Sequence, residues 1–180
     1  LGGDNFDLAL ARLIEEKLGN PKLTLRQRGA LRRQACSAKE RLLSDPGSER
    51  VPIHIPGSGG AVVGGGLGTE LSRAEVERTL LEGFLPCVPL DDQPTRDTRA
   101  GLRELGLPYA ADPAVTRHLA AFLAKTGDSG ARSGSDALTA GITERPPVPR
   151  PDAVLFNGGF FVPAVARERM LEALGGWFSG

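Results

Sequence analysis

The residues best suited to chemistry in this chain fall in two stretches. Asn157-Gly158-Gly159 follows the apolar run Ala153 to Phe156 and precedes Pro163. An apolar run of strand length, broken by glycines and followed by a proline where a first helical turn tolerates one, predicts a strand, a tight turn and a helix. Glycines without side chains let a flat ligand or a second backbone come close, and a helix start offers unbonded N–H groups to polar ligand atoms. The same residues also suit a plain strand-to-helix connection that meets no ligand. The second stretch is a helix expected from Thr24, where Thr24-x-x-Gln27 can form a reciprocal capping box. Leu31, Ala35, Ala38 and Leu42 make its apolar stripe, which leaves Arg32, Cys36 and Lys39 together on a neighbouring face.

Other chemically able residues are placed less well. Asp91 and Asp92 are adjacent, so they point in different directions and read as a solvated turn. His54 and His118 lie near no cysteine or carboxylate cluster in sequence, so no metal site is expected. The run Gly64 to Gly68 lacks the Lys-Ser/Thr of a phosphate loop and has Thr69 where a dinucleotide fingerprint needs its third glycine, which leaves a bulge or turn. Cys87, beside Pro86, reads as a small apolar filler.

Composition narrows the function classes. Acidic and basic residues balance at 22 each, so no overall field draws the chain to nucleic acid or anionic lipid. The basic face around Arg26, Arg28, Arg32 and Arg33 lacks the interleaved aromatics that stack bases. Two cysteines, Cys36 and Cys87, are too few for a disulfide framework and fit a reducing cytoplasm. No apolar run is long enough to cross a bilayer. At 180 residues the chain is one ordinary domain or two small ones, able to bury a core without staples.

The elements that must position these residues follow from periodicity. Asp4 or Asn5 can cap a first helix with Phe6, Leu10, Leu13, Ile14 and Leu18 on its inner side, ended by Gly19-Asn20-Pro21. Val51, Ile53 and Ile55 alternate in a strand, with Pro52 suited to an edge, and the chain turns after Pro56 toward Ala61 to Val63. Ser72-x-x-Glu75 is a second capping box, with Leu71 stapling to Val76 and Leu80 and Phe84 continuing the stripe. A short helix is expected from Arg99 to Leu105. Another starts at Asp112-Pro113, with Val115, Leu119, Phe122 and Leu123 buried and His118 in solvent. Residues 127–150 have the Gly, Ser, Pro and charge content of a mobile loop. The last helix carries Ala166, Met170, Leu174 and Trp177 on one side and stops at Gly175-Gly176.

Four stretches, in one order and spanning almost the whole chain, resemble the actin-like ATPase domain of the Hsp70 chaperone family. LGGDNFD at Leu1 to Asp7 is similar to that family's LGGEDFD, QACSAKERLLS at Gln34 to Ser44 to its ACERAKRxLS helix, LSRAEVERTL at Leu71 to Leu80 to its ITRARFEEL, and VLFNGGFFVPAV to its VLVGGSTRIPKV. The resemblance implies an α/β fold: a lobe fragment of the actin-like (ribonuclease H-like) ATPase, a small mixed sheet with packed helices and an outer α+β subdomain. Residues 1–6 would be an inner-lobe segment and 7–84 the outer helical and hairpin subdomain. Residues 85–126 would be connecting helices, 127–150 a flexible loop, and 151–180 the inner strand-turn-helix. The chain opens on LGGDNFD with no strand before it, so it is expected to be an excised piece of a longer protein.

The resemblance further implies ATP or ADP with Mg in the intact protein, a cleft completed by the first lobe and its phosphate loops, and a co-chaperone or exchange factor as partner. Lys39 would lie along the adenosine, its stem packing on a ring and its ammonium donating to ribose hydroxyls. Asn157, Gly158 and Gly159 would face it. The pattern departs at Cys36, where the family has a glutamate, and at Glu40 and Phe161, where it has arginines; Phe161 could still stack on a base. No catalytic residue is assigned, because the family's Mg-associated carboxylates, catalytic lysine and phosphate loops fall outside the matching stretches. The chain alone is therefore expected not to hydrolyse ATP, and to bind nucleotide no tighter than about 1 mM. The alternative reading is a protein-interaction module with no nucleotide role. A sugar-kinase relative on the same fold is disfavoured by the outer-helix match.

Overall fold

The computed structural model describes residues 2–56, 66–95, 112–130 and 148–179. Among them are five α-helices and a two-stranded sheet, a mixed α/β arrangement. Helix α1 spans Gly3–Lys17, α2 Leu25–Ser44, α3 Arg73–Arg78, α4 Val115–Gly130 and α5 Ala164–Phe178, with strands β1 at Arg50–Ile55 and β2 at Leu67–Ser72.

Both predicted capping boxes form. The Thr24 hydroxyl accepts from Gln27 N–H at 3.3 Å and the Gln27 side chain accepts from Thr24 N–H at 2.9 Å. Ser72 and Glu75 reciprocate in the same way, at 3.3 and 2.8 Å. The stripe of α2 is buried as its spacing requires, and Leu71, Val76, Leu80 and Phe84 meet it and the inner side of α1 in one core. Beyond Arg78 the helix continues as a π-helical turn, Thr79–Phe84, which keeps Leu80 and Phe84 directed inward.

Strands β1 and β2 pair antiparallel, with Ile53 opposite Thr69 and His54 opposite Gly68. The outer edge of β1 is bonded to a side chain. Gln34 of α2 donates to His54 O at 2.6 Å and accepts from His54 N–H at 2.9 Å, so its amide takes the place of a third strand. Gly66 leaves room for the His54 ring: a Cβ there would lie 2.3 Å from Cε1. Of the Gly64 to Gly68 run, Gly68 is in β2; the turn after Pro56 and Ala61 to Val63 fall outside the described residues.

Several expectations need correction. The cap of α1 is Gly2, not Asp4 or Asn5, and its φ of +146° suits glycine. Asn5 cannot cap because it lies within the first turn and is buried. Residues 153–156 form no strand. The only sheet among the described residues is β1–β2, so this apolar run has no ladder to join, and Leu155 is 94% exposed. Pro163 sits at the N-cap of α5 rather than inside it, and α5 runs on through Gly175-Gly176 to Phe178. Trp177 there donates to Val88 O at 2.6 Å, a tie that holds the helix past its glycines.

On α4, Leu123 is buried but Phe122 is exposed. Ala120, Ala121 and Ala124 take the inner face, because small side chains let the helix lie closer to its neighbours. His118 is half-buried, with Nε2 3.0 Å from Asp112 O. Asp92 is not merely solvated: it accepts from Arg117 Nε at 2.9 Å, while the same guanidinium reaches Asp112 at 3.2 Å. Residues 127–130 belong to α4 and not to a loop. The short helix expected at Arg99 to Leu105 and the loop over 131–147 lie outside the described residues. No helix among the described residues is long and apolar enough to cross a membrane.

Candidate functional site

Three segments distant in sequence enclose an open cavity of about 1120 Å³. The first turn of α1 contributes Gly2 to Asn5 and Asp7, and α2 contributes Cys36, Lys39, Glu40, Leu43 and Ser44. The third wall comes from the turn into α5, with Gly159, Phe160, Val162, Pro163, Ala164 and Arg167. Its position follows from local backbone rules. Gly158 takes a φ of +87°, which only glycine adopts at little cost, and its N–H bonds to the Asn157 side chain at 2.8 Å. The chain then winds through a 3₁₀ turn at Gly159–Phe161. Arg167 closes that turn by donating to Phe161 O at 2.8 Å.

The polar wall is organised by one ion pair. Lys39 Nζ lies 2.7 Å from Asp7 Oδ1, with side chains only 14% and 8% exposed. The contact is one of charge and distance, since Asp7 Oδ1 receives no directed hydrogen bond. The ammonium also sits 5.8 Å from the centroid of the Phe6 ring and next to Gly3, where a Cβ would meet it at an ordinary 3.8 Å. Cys36 Sγ lies 3.7 Å from Glu40 Oε1. Burial first, then the neighbouring Asp7 carboxylate, push this thiol up to about 11, against the opposing pull of Lys39. It is therefore a neutral S–H at pH 7 and no nucleophile. Asn5 is buried, and its Nδ2 has no hydrogen-bond partner.

The apolar wall is aromatic. Phe160 stands 6.3 Å from Phe6 and 6.1 Å from Phe84, edge-on or tilted, so it ties the cavity to the core. Phe161 leans the other way, 5.2 Å from Phe156 and 5.0 Å from Phe160.

Of the residues singled out from sequence, Lys39, Cys36, Glu40 and Gly159 line this cavity. Asn157, Gly158 and Phe161 shape the turn behind it but are not among its lining residues. Sequence reasoning does not assign Asn5, Asp7, Phe160 or Arg167 to the site; it reads Asn5 only as a possible helix cap. The 3₁₀ turn, tighter than an α-helix, is what brings Phe160 rather than Phe161 to the cavity. A carboxylate and an amide buried in a first helical turn give no periodic signal, because that turn is covered on nearly all sides.

Among the described residues no group of three or more histidines, cysteines or carboxylates could hold a metal ion. The fold and site together define a mixed α/β unit with an open, mainly apolar cavity of ligand size. No protein-family model matches the chain, and no curated protein or solved structure matches it.

Proposed function

We propose that this chain supplies the adenosine-binding wall of an ATP-binding domain of the Hsp70-like, actin-like kind, and that by itself it binds without catalysing. One observation carries the reading: Lys39 on α2 and the Gly159 turn, far apart in sequence, line one cavity of about 1120 Å³, ample for a nucleoside. A purine has two apolar faces, which Phe160, Val162 and Pro163 suit, and ribose has hydroxyls, which a remaining N–H of Lys39 and the exposed Glu40 carboxylate can meet as donor and acceptor. The adenosine part of the nucleotide thus fits the residues present. Its magnesium triphosphate does not, since the only carboxylate buried at the cavity is already paired with Lys39. No hydrolytic step is assigned to these residues.

The test is an amide chemical-shift titration with ADP. Saturable binding near about 1 mM that Lys39→Ala weakens about fivefold, or roughly 1 kcal/mol, supports the reading. Shifts confined to residues outside the cavity, or none, refute it. A protein-interaction module, with an exchange factor or similar protein as partner, is the second reading. Two observations favour it: Phe161 stacks among Phe156 and Phe160 rather than lining the cavity, and Leu155 and Val162 stand exposed.

A further inference from the structure

The charges around the cavity decide which part of a ligand it can hold, provided that the adenosine reading of the cavity is right. Its lining carries three carboxylates, Asp4, Asp7 and Glu40, against two cations, Lys39 and Arg167. Lys39 is committed to Asp7 at 2.7 Å, and Arg167 donates to the Phe161 carbonyl at 2.8 Å. The start of α1 would ordinarily attract an anion, but Asp4 in its first turn already supplies one there. Asp4 is itself paired with Arg32 at 3.6 Å, so a phosphate entering the cavity would meet balanced charge and cations already bonded to the protein.

Two buried atoms of lining residues have no hydrogen-bond partner: Asp7 Oδ1, which has the charge of Lys39 beside it, and a neutral donor, which has nothing. Asn5 is 4% exposed and lines the cavity, and its Nδ2 finds no acceptor in the protein. The Nδ2 atom is itself shielded from solvent and meets a ligand only if the amide turns; buried donors are almost always satisfied, so such an orphan beside a cavity calls for an acceptor from outside. The terminal torsion of an asparagine turns through a broad well, which lets the amide swing toward a ligand without moving the helix. We propose that the cavity recognises an uncharged nucleoside, with the Asn5 amide donating to a ring nitrogen or ribose oxygen, and that phosphate groups add nothing to its affinity.

Titrating the 180-residue chain separately with adenosine, AMP and ADP plus magnesium tests this. Dissociation constants within threefold of one another are expected. Asn5→Leu should weaken adenosine at least fivefold while leaving the unfolding midpoint unchanged or raised, because it removes an unmet donor rather than a bond. Asn5→Asp, which keeps the shape and replaces the donor by an acceptor, should weaken adenosine likewise, and it carries the test if Asn5→Leu lowers the midpoint. ADP binding tenfold or more tighter than adenosine would overturn the inference and leave the adenosine reading standing. Adenosine binding that ignores both substitutions would overturn the role of Asn5. Failure of all three compounds to bind would overturn the adenosine reading and this inference with it.

Discussion

Replacing Lys39 by alanine should destabilise the fold, whatever it does to a ligand. The ammonium and the Asp7 carboxylate are 2.7 Å apart and 14% and 8% exposed, so the pair lies between the fully buried and the surface case. Surface pairs contribute about 0–1 kcal/mol, while breaking a buried pair costs about 3–5 kcal/mol because it strands a charge. The small remaining exposure places Lys39→Ala at about 2–4 kcal/mol. The cost comes mainly from the abandoned Asp7, whose Oδ1 receives no directed hydrogen bond that would persist without the lysine. Removing both partners should therefore recover much of the loss. In urea unfolding, Lys39→Ala combined with Asp7→Ala should be at least about 1 kcal/mol more stable than the sum of the two single losses implies. A Lys39→Ala loss under about 0.5 kcal/mol, or strict additivity, would show that water screens the pair and that the cavity floor is wet. The same cycle guards the ligand test, since a fivefold weakening has meaning only in a variant shown to be folded.

Two further outcomes are expected. Burial alone would raise the Glu75 carboxyl, but the Lys17 ammonium at 2.7 Å and the Ser72 donors outweigh it and hold the group down to about 2 from an ordinary 4.5. A depressed acid stabilises the fold fully above its unfolded value and loses that contribution as pH falls, here between about 4.5 and 2, with an upper bound of about 3 kcal/mol. Glu75→Gln should flatten the acid limb of the stability curve over that range; an unchanged limb would refute the assignment. The second concerns the thiols. With Cys36 half-buried and held protonated up to about 11, and Cys87 exposed, a thiol reagent at pH 8 should label Cys87 first, as resolved by peptide mapping, and equal rates would contradict the raised Cys36 thiol.

How far the sequence reached depends on how local the physics was. Capping boxes at Thr24 and Ser72 and the stripe Leu31, Ala35, Ala38, Leu42 depend on residues within one or two turns, and they form as their spacing requires. The 153–156 run has the composition of a strand, yet a strand exists only through a neighbour, and composition cannot supply one. Phe122 and the Gly175-Gly176 pair mislead for the same reason: Ala120, Ala121 and Ala124 win the inner face by close approach, and the Trp177 bond to Val88 carries α5 past its glycines. At the candidate site, Lys39 is legible from helix spacing, and Asp7, its partner, is not, because pairing across helices leaves no mark along the chain.

The side-chain bond from Gln34 to both polar groups of His54 has a consequence for solubility. A two-stranded hairpin has two open edges, and each is a template on which another copy of the chain can add a strand. Gln34 occupies one of them, and on the other strand Lys17 donates to the Glu70 carbonyl and places a charge where a second chain would approach. The hairpin is thus protected against growing into a larger intermolecular sheet by two helix residues rather than by its own sequence. A substitution at Gln34 that spares the fold would surface first as concentration-dependent association, with little change in the unfolding midpoint.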